Sequence, residues 1–195
     1  MLVLTGEMGW ELYHKMEDSD RLYAALAESG ATDFGTYALN SLRLEKGFRM
    51  WGAEMTMDSN PYEAGLEMFL RPRKSADFVG KAALERIRRE GTSRRLVQLR
   101  VENGESDPEG DETVWCAGKV RSVLPGICVG VMTVCLQAVG HVTSGSYGYE
   151  TGCGIAFAYV PHYLAYDGCE VTVDLLGERR PAVVTIKPPV VARHA

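Results

Sequence analysis

The spacing of apolar residues changes between residues 91 and 94, and this change constrains the fold more than any other feature. Before it, apolar residues recur at helical intervals between capping residues and glycines. After it, short β-rich runs alternate with Gly, Pro and Asp turns, at residues 96–101, 114–116, 155–160, 171–176 and 183–186. Such runs indicate a small antiparallel barrel or sandwich. We therefore predict an α+β chain with a domain boundary near residues 91–94.

Three helices are predicted before that boundary. The first follows N-cap candidates at residues 18–20 and stops at Gly30, which suits the left-handed conformation after a helix. The second is expected over residues 36–46 and the third over residues 78–90, each followed by a glycine. Around these helices the apolar alternation of residues 2–15 predicts a β-hairpin, and residues 68–70 predict a short buried strand.

One apolar segment does not fit the barrel pattern. Residues 121–138 are almost wholly apolar, have turn residues only at Pro125-Gly126 near their start, and interrupt two β-rich flanks. We predict that residues 121–138 are an insertion in a barrel hairpin, with an additional buried hairpin or helix as the alternative.

Composition excludes several classes of function. The chain of 195 residues is 46% apolar, which is enough for a sizeable core, and its net charge is −5. The basic residues are scattered except for one cluster, so we expect no nucleic-acid partner. We assign the cluster to the solvated end of a helix, with a docking surface for the acidic face of a partner domain as the alternative. We expect no membrane partner. The five cysteines form no CxxC pair and no zinc spacing, so we predict no metal site and a reducing compartment. We expect no targeting peptide from the N-terminal residues of this sequence. The basic cluster comprises Arg86, Arg88, Arg89, Arg94 and Arg95.

The candidate binding residues are Glu7 and Arg43. Glu7 follows a Gly-containing turn, and a carboxylate there can accept hydrogen bonds from a ring N–H and an exocyclic NH₂ together. Arg43 lies in the predicted second helix, and its guanidinium can hold a carbonyl or carboxylate in its fork. The alternative is that the two residues form a surface ion pair, which a Glu and an Arg do often. No catalytic residue is predicted.

The order of several sequence blocks resembles one known family. The chain is similar to the aminomethyltransferase-type folate domain found at the C-terminal end of dimethylglycine dehydrogenases, with sarcosine dehydrogenases and the glycine cleavage T-protein as related families. Two blocks favour the dimethylglycine dehydrogenase branch, namely Trp51-Gly52-Ala53-Glu54-Met55 and Asp107-Pro108-Glu109-Gly110. The other blocks are residues 4–13, 34–46, 60–67, 77–81, 96–97, 143–147, 156–161 and 170–171.

The resemblance implies a fold and a partial function. Residues 1–91 would be the second half of an aminomethyltransferase-type folate-binding domain, and residues 92–195 a small antiparallel β-barrel domain. In the family, a flavin domain demethylates an amine and this region passes the one-carbon unit to tetrahydrofolate; by the match, Glu7 faces the pterin and Arg43 contacts the folate. FAD is expected only in a full-length relative, since this sequence has no Gly-x-Gly-x-x-Gly motif.

Further expectations come from the same resemblance. The chain would work in the mitochondrial matrix beside an upstream flavin domain, and alone it would be inactive, with dimethylglycine and sarcosine both open as the amine. Two departures from the family, Leu4 for a tyrosine and Met68 for an aromatic residue, would weaken folate stacking. The alternative function is a non-catalytic regulatory protein of the same fold, such as a relative of the pyruvate dehydrogenase phosphatase regulatory subunit.

Overall fold

A computed structural model describes residues 4–71, 74–102, 104–120 and 133–190. Its elements are three helices followed by six strands. The helices are α1 Ser19–Glu28, α2 Thr36–Glu45 and α3 Lys81–Glu90. The strands are β1 Arg94–Val101, β2 Thr113–Val120, β3 Thr133–Gly148, β4 Cys153–Pro161, β5 Glu170–Leu175 and β6 Glu178–Thr185. The predicted α+β class and the antiparallel barrel are both confirmed.

The six strands close into an antiparallel barrel in the order β1-β4-β3-β2-β5-β6. Alternate side chains point inward and form the main core, because successive residues of a strand face opposite sides. On β4 the inward residues include Ala156 and Ala158, while Ile155 and Phe157 face outward and are also buried. Strand β4 is therefore apolar at nearly every position because both of its faces are covered.

Helix α2 covers the outer face of β4. Leu44 of α2 is completely buried and packs in one cluster with outward-facing residues of β1 and β4. These residues are Leu96, Cys153, Ile155, Phe157 and Tyr159. By contrast, neither α1 nor α3 has a single buried residue. The helix that bears Arg43 is thus the one that the barrel holds in place.

Two predicted strands in the first half are wrong. Residues 4–15, the described part of that prediction, form turns and irregular chain with a single bridge residue, Met8, and a lone hairpin is marginally stable. The expected strand at residues 68–70 is instead a 3₁₀ turn, Glu67–Phe69, in which the Met68 side chain is 82% exposed. The third helix begins at Lys81 rather than at residue 78, because Gly80 has φ +90° and breaks the chain direction there.

Part of the predicted insertion falls within a strand. Residues 121–132 lie outside the described residues, whereas Thr133 begins β3, which pairs with β2 from Val120 back to Thr113. Leu136 in this stretch is 41% exposed, so the hairpin carries apolar side chains in contact with solvent. That residues 121–138 are an insertion stays a prediction.

None of the helices in the described ranges has the length and apolar character needed to cross a bilayer.

Candidate functional site

The turn at Thr5, Gly6 and Glu7 packs against the C-terminal end of α2. Gly6 has φ +73°, and a Cβ at this position would stand 2.6 Å from Cε2 of Phe48 and 2.7 Å from Cδ of Lys46. Both the backbone conformation and the space therefore require glycine. The turn directs Glu7 outward, where its carboxylate forms an ion pair with Nζ of Lys46.

The two members of that ion pair differ in exposure. The Lys46 side chain is 6% exposed and the Glu7 side chain is 56% exposed. A buried ammonium group needs an anionic or hydrogen-bonding partner, and Glu7 supplies one from the solvent side. The arrangement presents a carboxylate at the surface with a buried cation behind it.

Arg43 lies in a buried polar network beneath α2. Its side chain is 0% exposed, and Nη1 donates to Oε2 of Glu54 at 2.8 Å, also 0% exposed. Nη2 donates to Oγ of Ser144 at 2.6 Å, and Nε donates to Oδ1 of Asn40 at 2.8 Å. The backbone carbonyl of Phe48 accepts a further bond from Nη1 at 3.2 Å. Burial lowers the pKa of the Arg43 guanidinium, and the ion pair with Glu54 opposes that shift.

Glu54 completes this network from the segment after α2. Its carboxylate accepts hydrogen bonds from the Met50 amide at 2.6 Å, from Thr143 Oγ1 at 3.1 Å and from the Ser144 hydroxyl. Its backbone carbonyl accepts a bond from the Tyr159 hydroxyl at 2.8 Å. A buried carboxylate with this many donors and an arginine partner is fully satisfied.

Other side chains of α2 fasten it to β3 and to the β3–β4 turn. Asn40 Nδ2 donates to the Gly145 carbonyl at 2.8 Å, and Ser41 Oγ donates to the Tyr147 carbonyl at 2.7 Å. The buried Glu45 carboxylate accepts the amides of Glu150 and Thr151 at 2.8 and 2.9 Å. These bonds fix α2 on the barrel, and through Lys46 they fix the position of Glu7.

The two predicted binding residues therefore sit in different surroundings. Glu7 is exposed and its contact is with Lys46; Arg43 is buried and its contacts are Asn40, Phe48, Glu54 and Ser144. No hydrogen bond or ion pair between Glu7 and Arg43 occurs within residues 4–71. A ligand role for each of them stays a prediction.

Sequence reasoning missed Lys46 and Glu54 as members of this region. Lys46 caps the C-terminal end of α2 and follows Arg43 by three residues, a spacing that places helical side chains near one another and was a usable signal. Glu54 is the acidic residue of the Trp51-Gly52-Ala53-Glu54-Met55 block, where a carboxylate among apolar neighbours indicates a buried partner.

The predicted basic cluster is divided between two settings. Arg86, Arg88 and Arg89 are exposed on α3, as expected for the solvated end of a helix. Arg94 and Arg95 belong to β1 and form ion pairs with Glu63 and Glu67. Over the described ranges, no group of three or more His, Cys, Asp or Glu side chains is arranged to hold a metal ion.

Residues 8–79 expose many large apolar side chains to solvent. Trp10 is 77% exposed, Tyr37 88% and Trp51 71%, and α1 contributes no buried residue. Others more than half exposed are Met8, Leu12, Tyr13, Met16, Tyr23, Phe34, Met57, Met68, Phe69 and Val79. Contiguous apolar patches mark places where another surface packs, so these side chains are candidates for an interface.

Two family models match the chain. The GCVT N-terminal domain matches residues 3–74, and the glycine cleavage T-protein C-terminal barrel domain matches residues 94–191.

Proteins similar to this chain include dimethylglycine dehydrogenases and aminomethyltransferases. The chain is 50% identical over 195 residues to the mitochondrial dimethylglycine dehydrogenase of Mus musculus, covering 98% of this chain and 20% of that protein. The human protein of the same name is 49% identical over 188 residues. An aminomethyltransferase of Synechococcus sp. (strain CC9902) is 35% identical over 184 residues, which is 45% of its length. The chain thus spans about a fifth of the dimethylglycine dehydrogenases that it matches.

A solved structure has the same fold. The glycine cleavage system aminomethyltransferase T from Bartonella henselae superimposes with a TM-score of 0.72 at 27% sequence identity. The superposition covers 90% of this chain and 45% of that one.

Proposed function

The chain belongs to the glycine cleavage T-protein family, and on that basis we propose that it is the folate-binding part of a dimethylglycine dehydrogenase-like protein. In this role it takes part in transfer of a one-carbon unit to tetrahydrofolate, with Glu7 facing the pterin. The observation that supports the proposal best is Glu7 itself, a half-exposed carboxylate held on a rigid turn against the barrel-bound helix α2. The names of the relatives support a mitochondrial location, and we propose the matrix as the compartment within it.

The chemistry of Glu7 suits a pterin ring. A carboxylate with a free oxygen can accept hydrogen bonds from adjacent ring N–H and exocyclic NH₂ groups. The Arg43 side chain has no exposed surface, and we propose that it fixes α2 on the barrel through Glu54 and Ser144. A direct contact between Arg43 and folate stays a prediction.

Glu7→Gln is expected to weaken folate binding by about tenfold or more, because a hydrogen bond to a charged group contributes about 1.5–3 kcal/mol. The measurement is calorimetric titration of the chain with 5-formyltetrahydrofolate, a stable probe. Glu11→Gln is the matched control, since Glu11 is exposed and accepts only from Tyr13 among the residues described. Equal affinities for wild type and both variants would contradict the proposal and favour the partner-binding alternative.

The apolar surface of residues 8–79 supports a second element of the proposal. We propose that it packs against an upstream domain of a longer protein, because the dimethylglycine dehydrogenases are about five times the length that this chain matches. A folate site formed between two half-domains would then be closed by the upstream part.

The purified chain is expected to contain no flavin and to oxidise neither dimethylglycine nor sarcosine, because its sequence has no dinucleotide-binding glycine motif. The visible absorption spectrum and dye reduction with each amine check this, with the intact mouse relative assayed in parallel. Flavin absorption bands in freshly purified chain, or dye reduction that depends on either amine, would show the expectation to be wrong.

A further inference from the structure

The structure assigns Lys46 as a positioning residue that holds Glu7 in the orientation required by a ligand with adjacent N–H donors. This inference rests on the proposed function, since the ligand is a reduced folate. It goes beyond that function because it identifies the cation behind Glu7 and the way in which the carboxylate is held.

Lys46 is buried, so its ammonium group needs a partner within the protein. Its side chain is 6% exposed, so its ammonium group is largely removed from water and must be neutralised by the protein. Within the described ranges, the ion-pair partner of Nζ is Oε1 of Glu7. Lys46 therefore fixes Glu7 from the protein side, and its own exposed surface is too small for it to be the main contact of a ligand.

The Glu7 carboxylate keeps acceptor positions for a ligand. Lys46 contacts Oε1, and no hydrogen bond to Oε2 occurs in the part of the chain that the structure describes. An ionised carboxylate offers about four acceptor positions, of which Lys46 occupies one. Oε2 and the second lone pair of Oε1 remain for two neighbouring N–H donors. A pterin supplies such a pair in one plane.

The packing of the Gly6 turn holds the backbone of Glu7. The Cδ atom of Lys46 lies 2.7 Å from the place where a Cβ of Gly6 would stand, so the turn is seated directly on the lysine side chain. The ring of Phe48 also packs there, with Cε2 2.6 Å from the same Cβ position. Glu7 is thus held at its backbone by packing against Lys46 and Phe48, and at its carboxylate by the charge of Lys46.

Arg43 cannot position the Glu7 carboxylate. Its guanidinium donates to Asn40, Phe48, Glu54 and Ser144, and its side chain has no exposed surface. Arg43 in the last turn of α2 and Lys46 at its C-cap therefore differ in function. Arg43 holds the helix to the barrel, and Lys46 holds the ligand-facing carboxylate.

A double-mutant cycle with calorimetric titration of 5-formyltetrahydrofolate tests the assignment. Lys46→Met is expected to weaken binding about tenfold, and Lys46→Arg to restore affinity to within about threefold of wild type. In a Glu7→Gln background, Lys46→Met is expected to cause no further loss, because the two residues act through one interaction. Lys15→Met is the matched control, since Lys15 forms an exposed ion pair with Glu17 and should leave binding unchanged.

The outcomes separate this inference from the proposed function. Equal losses for Lys46→Met and Lys46→Arg, or a full loss from Lys46→Met in the Glu7→Gln background, would overturn the positioning role while folate binding stands. Absence of binding both by the wild-type chain and by mouse dimethylglycine dehydrogenase carrying this chain in place of its matched portion would overturn the proposed function and the ligand step with it. The ion pair is tested without ligand by ¹⁵N NMR of lysine amino groups. The Lys46 amino signal is expected to be visible in wild type, because the ion pair slows exchange of its hydrogens with water, and to be lost in Glu7→Gln. Persistence of this signal in Glu7→Gln would overturn the assignment.

Discussion

Arg43→Met lowers the free energy of unfolding by about 3–5 kcal/mol, because removing one partner of a buried ion pair leaves the other charge uncompensated. Both Arg43 and Glu54 are 0% exposed, so water cannot replace the lost guanidinium. The variant also leaves Ser144 and Asn40 without their arginine partner. Urea unfolding followed by far-UV circular dichroism measures the loss.

Arg21→Met is the matched control for this substitution. Arg21 forms an ion pair with Asp18 at 2.8 Å, but its side chain is 83% exposed, so the loss is expected to stay within about 1 kcal/mol. The double variant Arg43→Met/Glu54→Leu should recover part of the stability, since it removes the stranded charge. If Arg43→Met and Arg21→Met destabilise equally, the buried network does not fasten α2 to the barrel.

Gly140→Ala is expected to destabilise the barrel by about 2–3 kcal/mol or more, because there is no room for a methyl group. A Cβ at Gly140 would stand 2.0 Å from the backbone carbonyl oxygen of Tyr159 on β4. That strand is buried on both faces and cannot move aside without opening the barrel core. Thermal and urea unfolding of the variant provide the measurement.

Gly35→Ala is the control for the glycine effect. Gly35 has an ordinary φ of −95° and no atom within 4 Å of the position of a Cβ, so its cost is expected to stay within about 1 kcal/mol. A Gly140→Ala variant as stable as Gly35→Ala would contradict the close approach of β3 and β4.

The barrel could be predicted from the sequence because its signal is local. Inward and outward residues alternate along each strand, and short runs end at turn residues, so the period of two is visible without knowing the partner strands. Strand β4 is instructive, since Ala156 and Ile155 lie on opposite faces and are both buried. The sequence predicts a short β-rich run here, and the structure adds that α2 covers its second face.

The first half of the chain could be predicted less well, for a physical reason. The sequence predicts strands at residues 2–15 and 68–70, but residues 4–15 are turns and irregular chain with a single bridge residue, Met8, and Glu67–Phe69 is a 3₁₀ turn. Trp10 and Met68 remain largely exposed instead. Apolar periodicity reports which side chains are suited to burial, and it does not report which partner buries them.

The candidate site could be predicted in part. The chemistry of Glu7 and Arg43 was visible, but their separation was not, because it depends on which face of α2 meets the barrel. That orientation is set by long-range contacts of Arg43 with Ser144 and of Glu45 with Thr151. Lys46 then falls beside the Gly6 turn, a contact between residues far apart in sequence that no local pattern encodes.

One measurement tests the central claim most directly, namely that this chain is one part of a folate site completed by an upstream domain. The matched portion of the mouse dimethylglycine dehydrogenase is replaced by this chain, and 5-formyltetrahydrofolate is titrated into the chimera and into the chain alone. We predict about tenfold tighter binding by the chimera than by the chain, because the exposed apolar side chains such as Trp10 and Tyr37 are then covered and the site is closed. In the chimera, Glu7→Gln is expected to abolish this gain in affinity. Equal affinities of chimera and chain, with no effect of Glu7→Gln in either, would contradict this claim.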